Sequence, residues 1–238
     1  MNSRKRRRLY LMRHGSVDYF TPEGKPLPPQ DVPLNDKGRA QAGAAGRLFG
    51  EHGVKFDRII TSGLPRTVQT ASHVAAATGH EGLIEARDRM QEIRGGRLAS
   101  IAERDLLHSF TAATDGVVDH DVRFLGGESV GEMLERVLPE VDALRADRDW
   151  DTMLLVLHGA VNRAILSYLA TGRRELLGAF EQSPGCINVL DIGEQPVDVV
   201  LRVVNLSPLD WLQPDNRKST MEHLFEKYMA YRSTHGPS

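Results

Sequence analysis

The chain has 238 residues, of which 40% are hydrophobic and 26% charged, a composition typical of a folded soluble domain and unlike that of disordered or fibrous proteins. Its 30 lysines and arginines against 32 aspartates and glutamates give a net charge of −2, so no global basic field favours nucleic acid or an anionic membrane. A site for an anion must therefore be built locally. The length predicts a single domain over residues 1–238.

The N-terminal segment and the lone cysteine predict a cytoplasmic protein. Cys186 has no partner for a disulfide or a CxxC site, and a single cysteine fits a reducing compartment. The basic run from Arg4 to Arg8 precedes only the short apolar stretch Leu9–Met12, whereas a secretory signal requires roughly 7–15 apolar residues. We expect residues 1–8 to form a solvated basic tail.

Short apolar runs alternate with helical patterns along the chain. The predicted strands are Leu9–Met12, Arg58–Thr61, Leu83–Ala86, Met153–Leu157, Ile187–Ile192 and Val197–Val204, the last two as a hairpin. Ala-rich patterns predict helices over Lys37–Glu51 and Pro65–Thr78, and an apolar face from Val161 to Leu169 predicts another. This alternation predicts an α/β fold, a three-layer α/β/α sandwich with a mostly parallel central sheet.

Two further helices follow from their start signals and apolar spacing. Ser129 and Glu132 form a capping-box pattern ahead of a long apolar stripe. Pro139 lies inside that stripe, and we expect a kink or a break there. The spacing of Met221, Leu224, Phe225 and Tyr228 predicts a C-terminal helix.

Two segments fit neither a strand nor a helix pattern. Ser16–Pro33 contains five prolines, and residues 95–125 mix charged residues, glycines and short apolar stretches. Connections of this length in compact domains are often functional. We expect both segments to form walls of a site, with residues 95–125 acting as a lid or insertion.

Arginine and histidine recur at the ends of predicted strands. Arg13 and His14 end the first strand, and His158 and Gly159 lie between a later strand and its helix. Arg66 lies in the first turn of the helix after a third strand, where a guanidinium can bind two anion oxygens. Ligands of open α/β sheets bind at the carboxyl ends of the strands, and helix N-termini attract phosphate. The sequence therefore predicts a phosphate site there.

These motifs together resemble the histidine phosphatase superfamily, the phosphoglycerate-mutase-like proteins. The matching segments, in chain order, are Arg13-His14-Gly15, residues 34–42 (LNDKGRAQA), residues 62–71 (SGLPRTVQTA), residues 126–129 (GGES) and His158-Gly159. An Arg-His-Gly triplet alone is weak support. All five segments in order, each at a predicted element boundary, are much more specific.

The resemblance implies catalysis through a phosphohistidine on His14, without a metal or a cofactor. It implies that Arg13, Arg66, His158 and Gly159 hold the phosphoryl group and that Glu92 is the general acid. Glu85, Asp88 and Glu103 lie nearby in the sequence and are the alternatives for that acid. The chain departs from the family pattern at Phe20, where an asparagine is usual, and at Ser16, where glutamate is common. Phe20 or Tyr19 then offers an apolar surface to the substrate, and Arg94 and Arg97 are candidates for binding a substrate carboxylate.

The resemblance leaves more than one function open. Hydrolysis of a small phosphorylated metabolite is favoured over phosphoglycerate mutase-type transfer because the predicted lid has only scattered arginines among acidic residues. A non-catalytic phosphate-binding module is the third alternative. A metal hydrolase built on Asp119-His120-Asp121 is disfavoured because consecutive side chains point apart. We expect neither nucleic acid nor membrane as a partner, and the sequence leaves homo-oligomerisation open.

Overall fold

The computed structural model describes residues 5–23, 25–98, 101–114, 116–195, 197–210 and 217–235. The strands are β1 (Arg7–Arg13), β2 (Arg58–Thr61), β3 (Ile84–Ala86), β4 (Val117–Val118), β5 (Thr152–Leu157), β6 (Leu176–Leu177), β7 (Ile187–Ile192) and β8 (Val199–Leu206). The α-helices are α1 (Asp36–Glu51), α2 (Pro65–Thr78), α3 (Leu106–Thr111), α4 (Val130–Ala146), α5 (Gly159–Thr171) and α6 (Thr220–His235).

A six-stranded sheet in the order β3-β2-β5-β1-β7-β8 forms the centre of the fold. Strands β3, β2, β5 and β1 are parallel, while β7 is antiparallel to β1 and pairs with β8 as a hairpin. The predicted mostly parallel sheet and the hairpin are both confirmed. Because β1 and β5 are neighbours, the residues that follow them meet at the same edge.

Helices cover both faces of the sheet and complete three layers. Helices α4 and α5 pack on one face in the larger apolar cluster, which includes Leu11, Leu155 and Val161. Helices α1 and α2 pack on the other face around Phe49, Ile59 and other apolar side chains. Within the described residues, no helix combines the length and the hydropathy needed to cross a bilayer.

Helix α4 begins at the predicted capping box and continues past its proline. The Ser129 side chain accepts from the Glu132 backbone N–H at 3.1 Å, and the Glu132 carboxylate accepts from the Ser129 N–H at 2.7 Å. The expected break at Pro139 is absent, since the helix runs from Val130 to Ala146. Pro139 and Glu135 are both exposed, so water can solvate the carbonyl that lacks the proline's donor.

The expectation of a solvated basic tail is wrong for Arg6, Arg7 and Arg8. Arg6 donates to Asp198 at 2.8 Å, and Arg8 donates to Asp191 at 2.7 Å. The Arg7 guanidinium lies over the Trp150 ring, 4.1 Å from its centroid. These arginines therefore secure the start of β1, whereas Arg4 lies outside the described residues.

The segment over residues 95–125 packs against the C-terminal helix. Its helix α3 contributes Leu106 and Phe110, which form a separate apolar cluster with Tyr228 of α6. Phe110 lies 6.1 Å from Tyr228 between ring centroids, in a stacked arrangement. Helices α3 and α6 thus form one packed unit outside the two main clusters, and we name it the α3–α6 unit.

Candidate active site

Two buried histidines face each other at the carboxyl edge of the sheet. His14 follows β1 and is 2% exposed, and His158 follows β5 and is fully buried. The His14 backbone N–H donates to the Leu157 carbonyl at 3.0 Å, so the two strand ends remain paired up to the histidines. The ring centroids lie 5.2 Å apart. The parallel pairing of two strands thereby juxtaposes residues that are far apart in sequence.

The hydrogen bonds of His14 select one ring nitrogen as a nucleophile. Its Nδ1 lies 2.7 Å from the Gly15 carbonyl oxygen, which can only accept, so Nδ1 carries the proton. The Nε2 atom then has the free lone pair, and the Arg66 Nε–H donates to it at 3.3 Å. His14 is therefore oriented with an unprotonated Nε2 beside a guanidinium.

His158 is held from its opposite ring nitrogen. Its Nε2 lies 2.7 Å from the Ser62 hydroxyl, which in turn lies 3.1 Å from the Thr67 hydroxyl. The Nδ1 atom is buried and has no hydrogen-bond partner in the described part of the chain. A buried polar atom left without a partner is costly, and a ligand oxygen would satisfy it.

Backbone carbonyls hold the two arginines beside these histidines. Arg66, the second residue of α2, is 2% exposed and donates to the Pro29 carbonyl at 2.6 Å. Arg13 is 7% exposed and donates to the Gln182 carbonyl at 2.5 Å and the Thr220 hydroxyl at 2.9 Å. Neither guanidinium forms an ion pair with a described carboxylate. Two buried positive charges without counter-ions favour the binding of an anion.

Glu92 lies at the same edge, after β3 and a short 3₁₀ turn over Asp88–Met90. Its carboxylate accepts from the Ala160 backbone N–H in the first turn of α5, at 3.2 and 3.3 Å from the two oxygens. A Cβ atom added at Gly159 would lie 3.7 Å from this carboxylate and 3.6 Å from the Arg13 guanidinium carbon. Gly159 thus lies between the carboxyl group and the guanidinium.

The surroundings of the two histidines disfavour their protonation. Burial lowers the pKa of His14 well below 6.5, and the charges of Arg66 and Arg13 lower it further. Burial likewise lowers the pKa of His158, with added repulsion from His14 and the two arginines. His14 is consequently neutral around neutral pH, which keeps its Nε2 lone pair available.

A cavity of about 1120 Å³ opens beside His14 and Arg13. Both long segments predicted as walls contribute to it, through Val17 and Tyr19 of the first and Leu107 of the lid. Helix α6 forms another wall. The side chains from α6 and the turn before it are Arg217, Lys218, Ser219, Thr220, Glu222, His223, Leu224 and Lys227.

Residues 9–205 match the profile of the histidine phosphatase superfamily (branch 1). This chain belongs to that superfamily. The matched range contains the two histidines, the two arginines and Glu92.

Relatives and solved structures of this superfamily include both mutases and phosphatases. The chain is 31% identical to a 2,3-bisphosphoglycerate-dependent phosphoglycerate mutase of Mesorhizobium japonicum over 177 residues, which are 68% of this chain and 81% of the relative. It is 26% identical to a mycobacterial glucosyl-3-phosphoglycerate phosphatase, with a TM-score of 0.60 and coverage of 84% and 100%. The alpha-ribazole phosphatase of Shigella flexneri shares the fold at 22% identity, with a TM-score of 0.64 and coverage of 84% and 96%. These similarities indicate a phosphatase or a mutase.

The structure of this histidine phosphatase superfamily member brings most of the predicted site residues together. Arg13, His14, Arg66, His158, Gly159 and Glu92 converge at the sheet edge. Phe20 instead packs in the apolar cluster of the α3–α6 unit, and Arg94 and Arg97 are exposed residues that do not line the cavity. In the described part of the chain, no group of three or more acidic, histidine or cysteine side chains could hold a metal.

Sequence reasoning missed Ser62 and Thr220 as parts of the site and treated Tyr19 only as an apolar surface. Tyr19 is half-buried, with its ring 5.9 Å from the Arg66 guanidinium carbon, and its hydroxyl has no hydrogen-bond partner in the described residues. The sequence does contain a signal for the start of α6, because Ser219 and Glu222 have the spacing of a capping box and form one in the structure. Only the tertiary fold reveals that Thr220 then reaches Arg13.

The lowered pKa values of His14 and His158 predict a loss of stability in mild acid. Unfolded histidines titrate near pH 6.5, so below that pH the unfolded chain binds more protons than the folded protein. The unfolding free energy should fall by up to about 1.4 kcal/mol per pH unit for each histidine. Urea unfolding over about pH 7 to 5 measures this slope.

The double variant His14→Gln/His158→Gln should have a clearly shallower slope than the unmodified protein. His73→Gln, an exposed histidine on α2, serves as the matched control and should retain the original slope. Equal slopes in all three proteins would mean that the two buried histidines titrate as they do in the unfolded chain.

Proposed function

We propose that this protein is a metal-independent phosphomonoesterase that hydrolyses a small phosphorylated metabolite through a phosphohistidine on His14. The observation that carries the proposal is the unprotonated Nε2 of His14. This atom accepts from Arg66 at 3.3 Å, and the His14 ring lies 5.2 Å from the His158 ring between centroids. A neutral His14 suits attack on an anionic phosphoryl group, because two arginines and the unpartnered Nδ1 of His158 surround it.

In the first half-reaction, the His14 Nε2 lone pair forms a bond to phosphorus as the ester P–O bond breaks. Arg13 and Arg66 neutralise charge on the non-bridging oxygens, and His158 Nδ1 contacts one of them, because phosphoryl transfer depends chiefly on positioning and electrostatics. Glu92 acts as the general acid and gives a proton to the leaving oxygen. The products of this step are the free alcohol and phosphohistidine.

In the second half-reaction, water attacks the phosphohistidine. Glu92 now takes a proton from the water, so the same group acts first as acid and then as base. The P–N bond breaks, its electron pair returns to His14 Nε2, and inorganic phosphate leaves. The hydrogen bond from Nδ1 to the Gly15 carbonyl supports the positive ring during the intermediate.

Tyr19 supplies a further donor to the phosphoryl oxygens. Its hydroxyl lacks a partner in the described residues, and its ring lies beside Arg66 on the wall of the cavity that also contains Arg13 and His14. It thus provides a polar group in a pocket where Phe20 takes the place of the family's usual asparagine. Tyr19 therefore offers the substrate a hydroxyl group as well as the apolar surface of its ring.

Replacement of the nucleophile tests the reaction directly. His14→Ala should reduce release of phosphate from an aryl phosphate to the uncatalysed background, because no other group can accept the phosphoryl. His73→Ala should keep full activity. Rapid quench in base with labelled substrate should trap an acid-labile, base-stable adduct that is absent from His14→Ala.

Two results would refute this mechanism. One is a fully active His14→Ala protein, and the other is loss of activity on exhaustive chelation, since the proposed electrostatic groups are all side chains. Absence of hydrolysis in the unmodified protein, together with retained phosphate binding, would favour the non-catalytic binding module instead.

The proton donor is tested through the leaving group. Glu92→Gln should slow hydrolysis of an alkyl phosphate by about 10²–10⁴-fold, because an alkoxide needs a proton to leave. The same variant should form the phosphohistidine from dinitrophenyl phosphate at a nearly unchanged rate, because that leaving group needs none. Single-turnover kinetics separate these effects, with Glu81→Gln, an exposed carboxylate before β3, as control. Equal losses with both substrates would contradict the acid role.

The hydroxyl of Tyr19 is tested by its removal alone. Tyr19→Phe should weaken binding of phosphate or orthovanadate by about 10-fold to 100-fold, the usual range for a hydrogen bond to a charged group. Tyr10→Phe makes the same chemical change where the ring packs against Phe49 and Phe56, and should leave binding unchanged. Calorimetric titration measures both, and unaltered affinity in Tyr19→Phe would exclude the contact.

Phosphoglycerate mutase-type transfer is the second candidate, favoured by the relative from Mesorhizobium japonicum. The two activities share the first half-reaction and differ in what accepts the phosphoryl group. Interconversion of 2- and 3-phosphoglycerate faster than phosphate release would establish the mutase. The cytoplasmic location and the absence of nucleic acid and membrane partners stay predictions from the sequence.

A further inference from the structure

The cavity beside His14 has an excess of positive charge along helix α6. The basic residues on its wall are Arg13, Lys37, Arg217, Lys218 and Lys227, and the carboxylates are Glu181, Asp210 and Glu222. This contrasts with the net charge of −2 for the whole chain. A local field of this kind attracts an anionic ligand group.

The carboxylates on the wall are engaged by other groups. Glu181 pairs with Arg163 at 2.9 Å, and the Glu222 carboxylate accepts the Ser219 backbone N–H at 2.6 Å as part of the capping box. Asp210 accepts from Gln41 at 2.6 Å and lies 3.3 Å from Lys37. Among the described residues, none of these acids forms an ion pair with Arg217, Lys218 or Lys227.

Two cations at the cavity have no such partner. Lys218 pairs with Glu226 at 2.5 Å, but neither Arg217 nor Lys227 forms an ion pair with any described residue. Arg13 already belongs to the phosphoryl site. Lys227 and Arg217 are therefore the charged groups of the wall that neither the fold nor the proposed reaction uses.

Helix geometry fixes how far Lys227 lies from the reacting phosphoryl group. Thr220, His223, Leu224 and Lys227 have the spacing of one helix face, and all four line the cavity. Thr220 contacts Arg13 at 2.9 Å, so the start of this face lies at the phosphoryl site. At about 1.5 Å per residue, Lys227 lies roughly 10 Å farther along the helix.

We propose that the substrate is an elongated phosphomonoester whose leaving group carries a second anionic group, a carboxylate or a phosphate, that binds Lys227. The leaving group lies along the α6 face, past His223 and Leu224, and Arg217 adds to the positive field near the helix start. This inference rests on the proposed phosphatase reaction. It assigns the second charge of the substrate to α6 and not to Arg94 or Arg97.

The test uses phosphorylated alkanoates of increasing chain length, each paired with its uncharged carboxamide. The alkyl leaving groups differ little in acidity, so the ratio of kcat/KM within a pair reports binding of the distal charge. The unmodified protein should prefer the carboxylate by about fivefold once the chain spans the cavity, as expected for a partly exposed ion pair. Short chains should show no preference, and added salt should reduce it.

Variants assign the preference to Lys227. Lys227→Gln should abolish it, and Lys227→Glu should reverse it in favour of the carboxamide, while Lys5→Gln, a remote exposed lysine, should retain it. All variants should hydrolyse an aryl phosphate whose leaving group carries no charged substituent at the rate of the unmodified protein. This result would also show that the variants fold.

The outcomes separate this inference from the proposed function. If the unmodified protein hydrolysed none of these esters, the proposed phosphatase reaction would be refuted. Hydrolysis without a carboxylate preference at any chain length, or a preference that survives in Lys227→Gln and Lys227→Glu, would overturn the assignment of the second anion to Lys227 and leave the phosphatase intact.

Discussion

The candidate site depends on the burial of two guanidinium groups beside two imidazoles, with no ion-paired carboxylate among the described residues. Burial depresses the pKa of His14, and the charges of Arg66 and Arg13 lower it further, so the arrangement favours the entry of an anion. The fold tolerates it because backbone carbonyls of Pro29 and Gln182 accept from the guanidiniums. These carbonyls hold the guanidiniums in place without cancelling their charge, and the Arg13 Nε stays buried without a partner in the described part of the chain, so the site keeps its attraction for an anion.

The placement of the two histidines and Arg66 could be predicted from sequence because it is a consequence of parallel strand pairing. Residues placed directly after β1 and β5, or in the first turn of α2, must lie near one another once these strands are neighbours. Each position is marked locally by a strand pattern and by a glycine or proline at the turn. Local signals were therefore sufficient for His14, His158 and Arg66, and the resemblance supplied the place of Glu92.

The remaining features depend on contacts between distant parts of the chain that no local pattern encodes. Arg6 and Arg8 look like a solvated tail until Asp198 and Asp191 are placed beside them by the β7–β8 hairpin. Thr220 hydrogen-bonds to Arg13, which is far away in sequence, and Phe20 packs in the α3–α6 unit and does not line the cavity. Such contacts depend on where loops and terminal elements dock, and periodicity carries no information on that.

The division between sheet edge and α3–α6 unit separates chemistry from substrate choice. The groups proposed to bind the phosphoryl lie on strand ends and in the first turns of α2 and α5, elements that contribute to the main apolar clusters. Two of the cavity walls come from α3 and α6, which pack on each other around Phe110 and Tyr228. Helix α6 also contacts Arg13 through Thr220, so this smaller cluster borders the candidate site directly. The scarcity of cations in the lid, which favoured hydrolysis at the level of sequence, describes only one wall of the cavity, because Arg217, Lys218 and Lys227 lie on the wall formed by α6 and the turn before it. In the proposed reaction, these cations lie at a distance from the phosphoryl group, where they would select the substrate and leave the intermediate open to water.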